Sequence, residues 1–321
     1  MKGFQNLKNK VSPKVFKITL TSVSIAVFLA LLITNSYLAI EIHKIKPFKN
    51  PVGKINISSY PEFKYFYDPG ISARGALVMD ADSGVILYEK NSNLRFSTAS
   101  TAKIMTALTA LEIYDLNDIL TVKTATDEGA LIGLTVGEKI TFESLLYAML
   151  LPSGNDAALT IAQNYEGGQD KFIEKMNKNA QKWNLQNTHF VDPAGLIDEG
   201  DYTTPKELAR LAIIALDNPI LAKIVSTKSK VFTSIDGQYA YYVDNLNKLL
   251  GVNGINGVKT GFTNGAGQVL VSSKLEPVFA YNGEKQKKII MVVMDSKDRF
   301  DDTLRIANLI SGNVNYLAIR P

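Results

Sequence analysis

The feature that most constrains this chain is a run without a single charged residue, Ile18 to Ile40, reading ITLTSVSIAVFLALLITNSYLAI. At 1.5 Å of rise per helical residue the run is roughly 34 Å long, enough to cross the hydrocarbon core of a bilayer. Five lysines, Lys2, Lys8, Lys10, Lys14 and Lys17, precede it, and the first acidic residue, Glu41, follows it. Because cationic flanks stay on the cytoplasmic side, the sequence predicts residues 1–17 as a cytoplasmic basic segment and 18–40 as a transmembrane helix. Everything after residue 40 is then expected outside the cytoplasm. The run is long for a cleaved signal peptide and no A-x-A site closes it, so a retained single-pass anchor in the cell membrane is expected.

The remainder of the 321 residues, in a chain that is 46% hydrophobic, is long enough to bury a core of its own. The net charge of +4 is supplied by the N-terminal lysines. Without them the chain is near neutral and has no basic stripe to displace counterions from a phosphate backbone, so no nucleic-acid partner is expected. There is no cysteine, and the two histidines, His43 and His189, lie far apart in sequence. Neither a thiolate nor a histidine-rich metal site is expected, and no cofactor.

Residues 41–70 mix lysine, proline, asparagine and serine without clear periodicity and read as a stalk, with the folded domain at 71–321. The string ALVMD, then Ala81-Asp82-Ser83-Gly84, then VILYEK reads as a β-hairpin. From about residue 100 to residue 225 the apolar spacing is helical, as in Ile104, Leu108 and Leu111, or Leu145, Leu146 and Met149, or Leu208, Leu211 and Ala212. The last of these has a marked start, with Thr204 as N-cap, Pro205 in the first turn and Glu207 completing a capping box. Strands return from Val258, in VKTGFT, a turn at Asn264-Gly265-Ala266-Gly267, QVLVSS and KKIIMVVMD, before a helix from about Asp301 to Ile310. The expected fold is α+β, an antiparallel sheet assembled from both ends of the domain with a helical subdomain between them.

Three short strings carry candidate chemistry. Ser100-Thr101-Ala102-Lys103 places a hydroxyl and an amine three residues apart on a helix, where they share a face, beside the positive end of the helix dipole. Alone it is also an ordinary solvated helix start. Ser153-Gly154-Asn155 sits between two helical runs, where serine and asparagine are ordinary capping residues. Lys259-Thr260-Gly261 opens a strand, where glycine permits either a tight turn or the close approach of a ligand.

Together and in this order the three strings resemble the penicillin-binding protein and serine β-lactamase superfamily. The resemblance extends to the low-molecular-mass D-alanyl-D-alanine carboxypeptidases through VMDADSGVILYEKN, TASTAKIMTALTALE, LLPSGNDAA, NTHFVDPAGL and GVKTGFTNGAG, and covers about Gly75 to Ile310. Two departures stand out. Ala102 occupies a position where the family usually has threonine, and the family's frequent C-terminal β-domain does not appear before Pro321, so membrane attachment is expected from the N-terminal segment.

The resemblance implies a penicillin-binding, transpeptidase-like fold and a serine hydrolase that removes the terminal D-alanine of peptidoglycan stem pentapeptides, with β-lactams as inhibitors. It implies Ser100 as nucleophile and Lys103 as its base, made neutral by burial and by the second cation Lys259. Ser153 is implied as a proton relay and Asn155 as the holder of the lysine and of the substrate amide. Lys259, Thr260 and Gly261 belong to the implied carboxylate-binding strand, the N–H groups of Ser100 and Phe262 to the oxyanion hole, and Arg299 to a further carboxylate contact. A surface ion pair with Asp301 or Asp302 is the competing reading of Arg299. His189, in NTHFVDPAGL, is expected to be structural. A β-lactamase is the nearest rival, yet none of Glu166, Glu174, Glu199 and Glu207 lies in an E-x-x-L-N context. The same strings are also compatible with a D,D-endopeptidase and with a non-enzymatic wall-binding or antibiotic-sensing module.

Overall fold

The computed structural model of the chain describes residues 59–280 and 283–318. The segments expected to be a basic tail and a transmembrane helix, and the stalk as far as residue 58, lie outside the described residues. Among the described residues, no helix is long and apolar enough to cross a membrane.

The main sheet contains β1 (Gly75–Asp80), β2 (Ile86–Lys90), β3 (Ile255–Thr263), β4 (Gly267–Ala280) and β5 (Gly283–Ser296). The strands lie in the order β3-β4-β5-β1-β2 and every neighbouring pair is antiparallel. The sheet is thus assembled from both ends of the domain, with the expected hairpin joining β1 to β2. Successive side chains of a strand point to opposite faces, and here both faces are covered. On β5, Ile290, Val292 and Met294 enter one core while Ile289, Met291 and Val293 enter the other. That double burial explains why KKIIMVVMD reads as a continuous apolar run rather than an alternating one.

Between β2 and β3 the chain forms α1 (Lys103–Ala110), α2 (Phe142–Leu150), α3 (Asn155–Asn164), α4 (Gly168–Lys182), α5 (Pro205–Asp217) and α6 (Pro219–Val225). After β5 comes α7 (Arg299–Ile310). α7 covers one face of the sheet, and α5 packs against β5 and β1 on the other. α1 is buried along its whole length and touches α2, α3, α4 and α5, so its alanines and threonines meet neighbouring helices all round. Leading into it, Ala99–Ala102 forms a 3₁₀ turn packed against β3.

Three expectations are corrected. The stalk ends earlier than residue 70, because Ser59–Phe63 is a strand paired antiparallel with Val314–Ala318, with Phe63 opposite Val314. Phe63 and Tyr316 pack against the core on the α7 side, and so short a strand interrupted by Pro61 offers no readable alternation. α7 begins at Arg299, two residues before the expected start, because the Asp298 carboxylate caps it by accepting from the N–H groups of Phe300 and Asp301. The capping box of α5 is only half formed. Thr204 Oγ1 accepts from Glu207 N at 3.1 Å, but the Glu207 carboxylate accepts from Asn187 N at 3.0 and 2.9 Å and from Thr188 Oγ1 at 2.6 Å. That glutamate ties the helix to the segment before it instead of closing its own cap.

Candidate active site

The 3₁₀ turn and the first residue of α1 bring the Lys103 Nζ to 2.8 Å from the Ser100 Oγ. The same amine lies 2.7 Å from Asn155 Oδ1 and 2.7 Å from the carbonyl oxygen of Ala194. Asn155 is fixed from its other end, since its Nδ2 donates to the Glu128 carbonyl at 2.9 Å, which orients its oxygen toward the lysine. Neither Ser153 nor Asn155 caps α3, contrary to the ordinary capping reading: the cap position is Gly154, and Asn155 is the first helical residue. Ser153 adopts a left-handed backbone conformation (φ 69°), and its buried Oγ has no hydrogen-bond partner. Ala99, immediately before the nucleophile, is also left-handed (φ 45°). Such backbones cost roughly 1–3 kcal/mol each and persist where the surroundings over-determine them.

Those surroundings include β3. A Cβ at Gly261 would lie 3.1 Å from Ala99 Cβ and 3.3 Å from Ser100 N, so any side chain there would crowd the turn that carries the nucleophile. Gly195 meets the turn from the other side, with φ +72° and a hydrogen atom facing the Ala99 carbonyl where a Cβ would overlap it. Ser100, Ser153, Asn155, Thr260, Gly261, Phe262 and Arg299 together line a cleft of about 290 Å³, with no carboxylate among its lining residues. Lys103 and Lys259 sit behind its wall, 0% and 2% exposed. Arg299 Nη1 donates to the Gly261 carbonyl at 2.7 Å, while its buried Nε has no partner. The surface ion-pair reading of Arg299 therefore fails, because Asp301 pairs with Arg305 at 2.6 Å and Asp302 accepts from Ser72 and Ala73.

Burial lowers the Lys103 pKa to about 7, against the opposing pull of Asp192, Asp156 and Asp201. Burial also pushes Lys259 well below the ordinary lysine range, with the charges of Lys103 and Arg299 adding to the effect. Desolvation is the largest cause at both lysines, the repulsion between them adds to it at Lys259, and both shifts run downward. Desolvation lowers Arg299 as well, although the neighbouring Asp298 opposes it.

Sequence reasoning gave the turn from Asp192 to Ile197 no role at the site. The Asp192 carboxylate accepts from the N–H groups of Ala194 and Gly195 at 2.7 Å each and of Leu196 and Ile197 at 2.9 Å each. Asp-Pro-Ala-Gly is a legible turn signal, but nothing local shows that its carbonyl meets a lysine 91 residues earlier. Asp198 was also missed. It accepts from Ser97 Oγ at 2.6 Å, Thr263 Oγ1 at 2.5 Å and Gly265 N at 3.0 Å, joining the approach to the nucleophile to the turn after β3. His189 lies outside the cleft, its Nδ1 2.8 Å from the Gly200 carbonyl and its ring stacked on Tyr202.

Known proteins with this arrangement are found by sequence and by structure. Residues 64–298 match the peptidase S11 family, described as D-alanyl-D-alanine carboxypeptidase. The D-alanyl-D-alanine carboxypeptidase DacF of Bacillus subtilis is 34% identical over 209 residues, covering 63% of this chain and 54% of that protein. A D-alanyl-D-alanine endopeptidase of Pseudomonas aeruginosa is 33% identical over 207 residues, covering 63% of this chain and 66% of its own length. This chain therefore spans about half of the first relative and just under two thirds of the second. The crystal structure of the Streptomyces K15 DD-transpeptidase superposes with a TM-score of 0.69 at 32% identity, covering 76% of this chain and 98% of that one. The family match and the shared fold lead to one assignment: this chain belongs to the D-alanyl-D-alanine carboxypeptidase family, peptidase S11, of low-molecular-mass penicillin-binding proteins.

Proposed function

We propose that this protein is a serine D-alanyl-D-alanine carboxypeptidase, acylated at Ser100 by the stem pentapeptides of peptidoglycan and by penicillins. The observation that carries this reading is the set of partners around the Lys103 amine. A neutral amine has two hydrogens and one lone pair. Asn155 Oδ1 and the Ala194 carbonyl are acceptors only, so they take the two hydrogens. The lone pair is left for the one neighbour with a proton to give, the Ser100 hydroxyl at 2.8 Å. A pKa of about 7 makes that neutral form available near neutral pH.

Ser100 Oγ attacks the carbonyl carbon of the penultimate D-alanine as its proton passes to Lys103. The peptide C–N bond then breaks, and the leaving amine takes a proton that Ser153, with its unpartnered hydroxyl, is placed to relay. An ester on Ser100 remains, which water hydrolyses to return the serine. Backbone N–H groups of Ser100 and Phe262 are assigned to the developing oxyanion. Thr260 and the free donors of Arg299 receive the terminal carboxylate, whose charge restores the proton that burial disfavours on Lys259. We further infer that residues 18–40 anchor the enzyme by one membrane span, with the catalytic domain outside the cytoplasm, on the strength of the charge-free run and its lysine flank.

The reading is tested by incubating the purified chain with a fluorescent penicillin and, separately, with a peptide ending in D-Ala-D-Ala. Expected are covalent labelling that Ser100→Ala abolishes, and release of free D-alanine. After peptide acylation D-alanine departs and water takes its place, whereas an opened penicillin ring stays tethered there. No carboxylate among the described lining residues activates a water past it, so the penicilloyl ester should persist for minutes while the peptide turns over. Rapid recovery from penicillin without D-alanine release would establish a β-lactamase instead, and cleavage confined to crosslinked dimers an endopeptidase.

A further inference from the structure

We propose that Asp192 is a positioning residue of the reaction, holding the turn at residues 192–197 so that the Ala194 carbonyl fixes the Lys103 amine against Ser100. The inference rests on the acyl-transfer reading of this site. Asp192 is 5% exposed and touches neither Ser100 nor Lys103 through a hydrogen bond of its own. Instead its two oxygens each receive two backbone N–H groups, Ala194 and Gly195 on one and Leu196 and Ile197 on the other. Four donors converging on one carboxylate leave the turn little freedom, since bonds to a charged acceptor are shorter and stronger than neutral ones.

The turn so fixed does two things at the nucleophile. It directs the Ala194 carbonyl at the amine, at 2.7 Å, and it presses Gly195 against the Ala99 carbonyl, immediately before Ser100. A second tether comes from α1 itself. Thr106 Oγ1, one helical turn beyond Lys103, donates to the Pro193 carbonyl at 2.6 Å. The turn is therefore fastened to the same helix whose lysine it positions, and a loosened turn frees the amine to swing away from the hydroxyl.

Asp192 also faces Lys103 as a charge, together with Asp156 at the start of α3 and Asp201 beyond the turn, although burial pushes the Asp201 carboxyl well above the usual range. A negative charge favours the protonated amine, so removing it moves the limb of acylation that titrates Lys103 to lower pH. That shift reports the charge of Asp192 alone, whereas the plateau rate, reached where Lys103 is neutral, reports how well its amine is held against Ser100.

The experiment measures the rate of labelling by a fluorescent penicillin across pH in the full-length chain, beside its thermal unfolding. Asp192→Asn is expected to lower the plateau rate by about tenfold to a hundredfold, as sub-ångström to ångström displacement of a reacting group does, and to shift the limb to lower pH. Thr106→Val removes the second tether without altering any charge, and is expected to lower the plateau with the limb unmoved. A folded Asp192→Asn enzyme with a wild-type plateau, wherever its limb lies, overturns the inference. So does an unfolded Asp192→Asn chain beside a Thr106→Val enzyme with wild-type kinetics. A wild-type chain that never labels would bring down the reaction itself, and this inference with it.

Discussion

Three lysines of this protein are buried on or beside the same sheet and meet two different fates. Lys274, on β4, is 3% exposed and pairs at 2.7 Å with Glu276, itself 2% exposed, while its amine also donates to the Asn253 carbonyl at 2.9 Å. Lys103 and Lys259 are buried as deeply, yet neither makes an ion pair among the described residues. Among the described residues, the Lys259 amine donates only to the Thr260 carbonyl, at 2.9 Å. Burial by itself disfavours a lysine's charge, and a carboxylate partner offsets that cost. Where the partner is withheld, burial lowers the amine's pKa, to about 7 at Lys103, where the neutral amine is able to take a proton from elsewhere. One end of the sheet uses buried lysine to join elements, and at the other we propose that buried lysine runs a reaction.

The sharpest way to break this contrast is to replace the unpaired lysine. Lys103→Met should reduce penicillin acylation by about 10²–10⁴-fold, the usual contribution of a positioned base, with little loss of stability. Labelling kinetics and urea unfolding on the same preparation measure both quantities. The paired lysine should respond in the opposite way. Lys274→Met leaves Glu276 buried without its cation and should cost about 3–5 kcal/mol in urea unfolding, with the labelling rate per folded molecule unchanged. If both variants lose stability equally, the division between the two ends of the sheet is wrong.

A third measurement sharpens the comparison through pH. Folded Lys103 titrates at about 7, and an unfolded lysine titrates at about 10.4. Between those values the unfolded chain holds a proton that the folded chain has released, so stability rises with pH across that window and is flat in this respect below it. Lys259 acts in the same sense. The acylation rate should climb through about 7 as the amine becomes neutral, and Lys103→Met should flatten part of the rise in stability. The smallest effect is expected at His189, outside the cleft: His189→Ala should label within about twofold of wild type, near the scale of ordinary surface substitutions. Loss of labelling as complete as in Ser100→Ala would favour a histidine base and remove Lys103 from its role.

What the sequence reveals of this site is what local spacing carries. Ser100 and Lys103 are one helical turn apart, and their meeting follows from geometry alone. The sheet strands and the start of α5 are legible for the same reason, since periodicity and capping are local signals. The partners of Lys103 are not local. Asn155 and Ala194 arrive from 52 and 91 residues away, and the carbonyl is a backbone atom that no residue type announces. Glu207 shows the limit of a local rule, because a carboxylate three residues after an N-cap threonine found better donors in Asn187 and Thr188. Arg299 was assigned through resemblance, and its unpartnered Nε beside Gly261 belongs to tertiary packing.

The strand Ser59–Phe63 has a mechanical consequence. Its register places Ser59 opposite Ala318 and Phe63 opposite Val314, so the end nearer the N-terminus lies farthest from where the two strands join the core. A pull on the chain ahead of Ser59, along the strand, loads the rungs of this pair together in shear. The strand is already extended, so breaking the pair adds little length, and its rungs share the load with the chain that leads on to the five-stranded sheet.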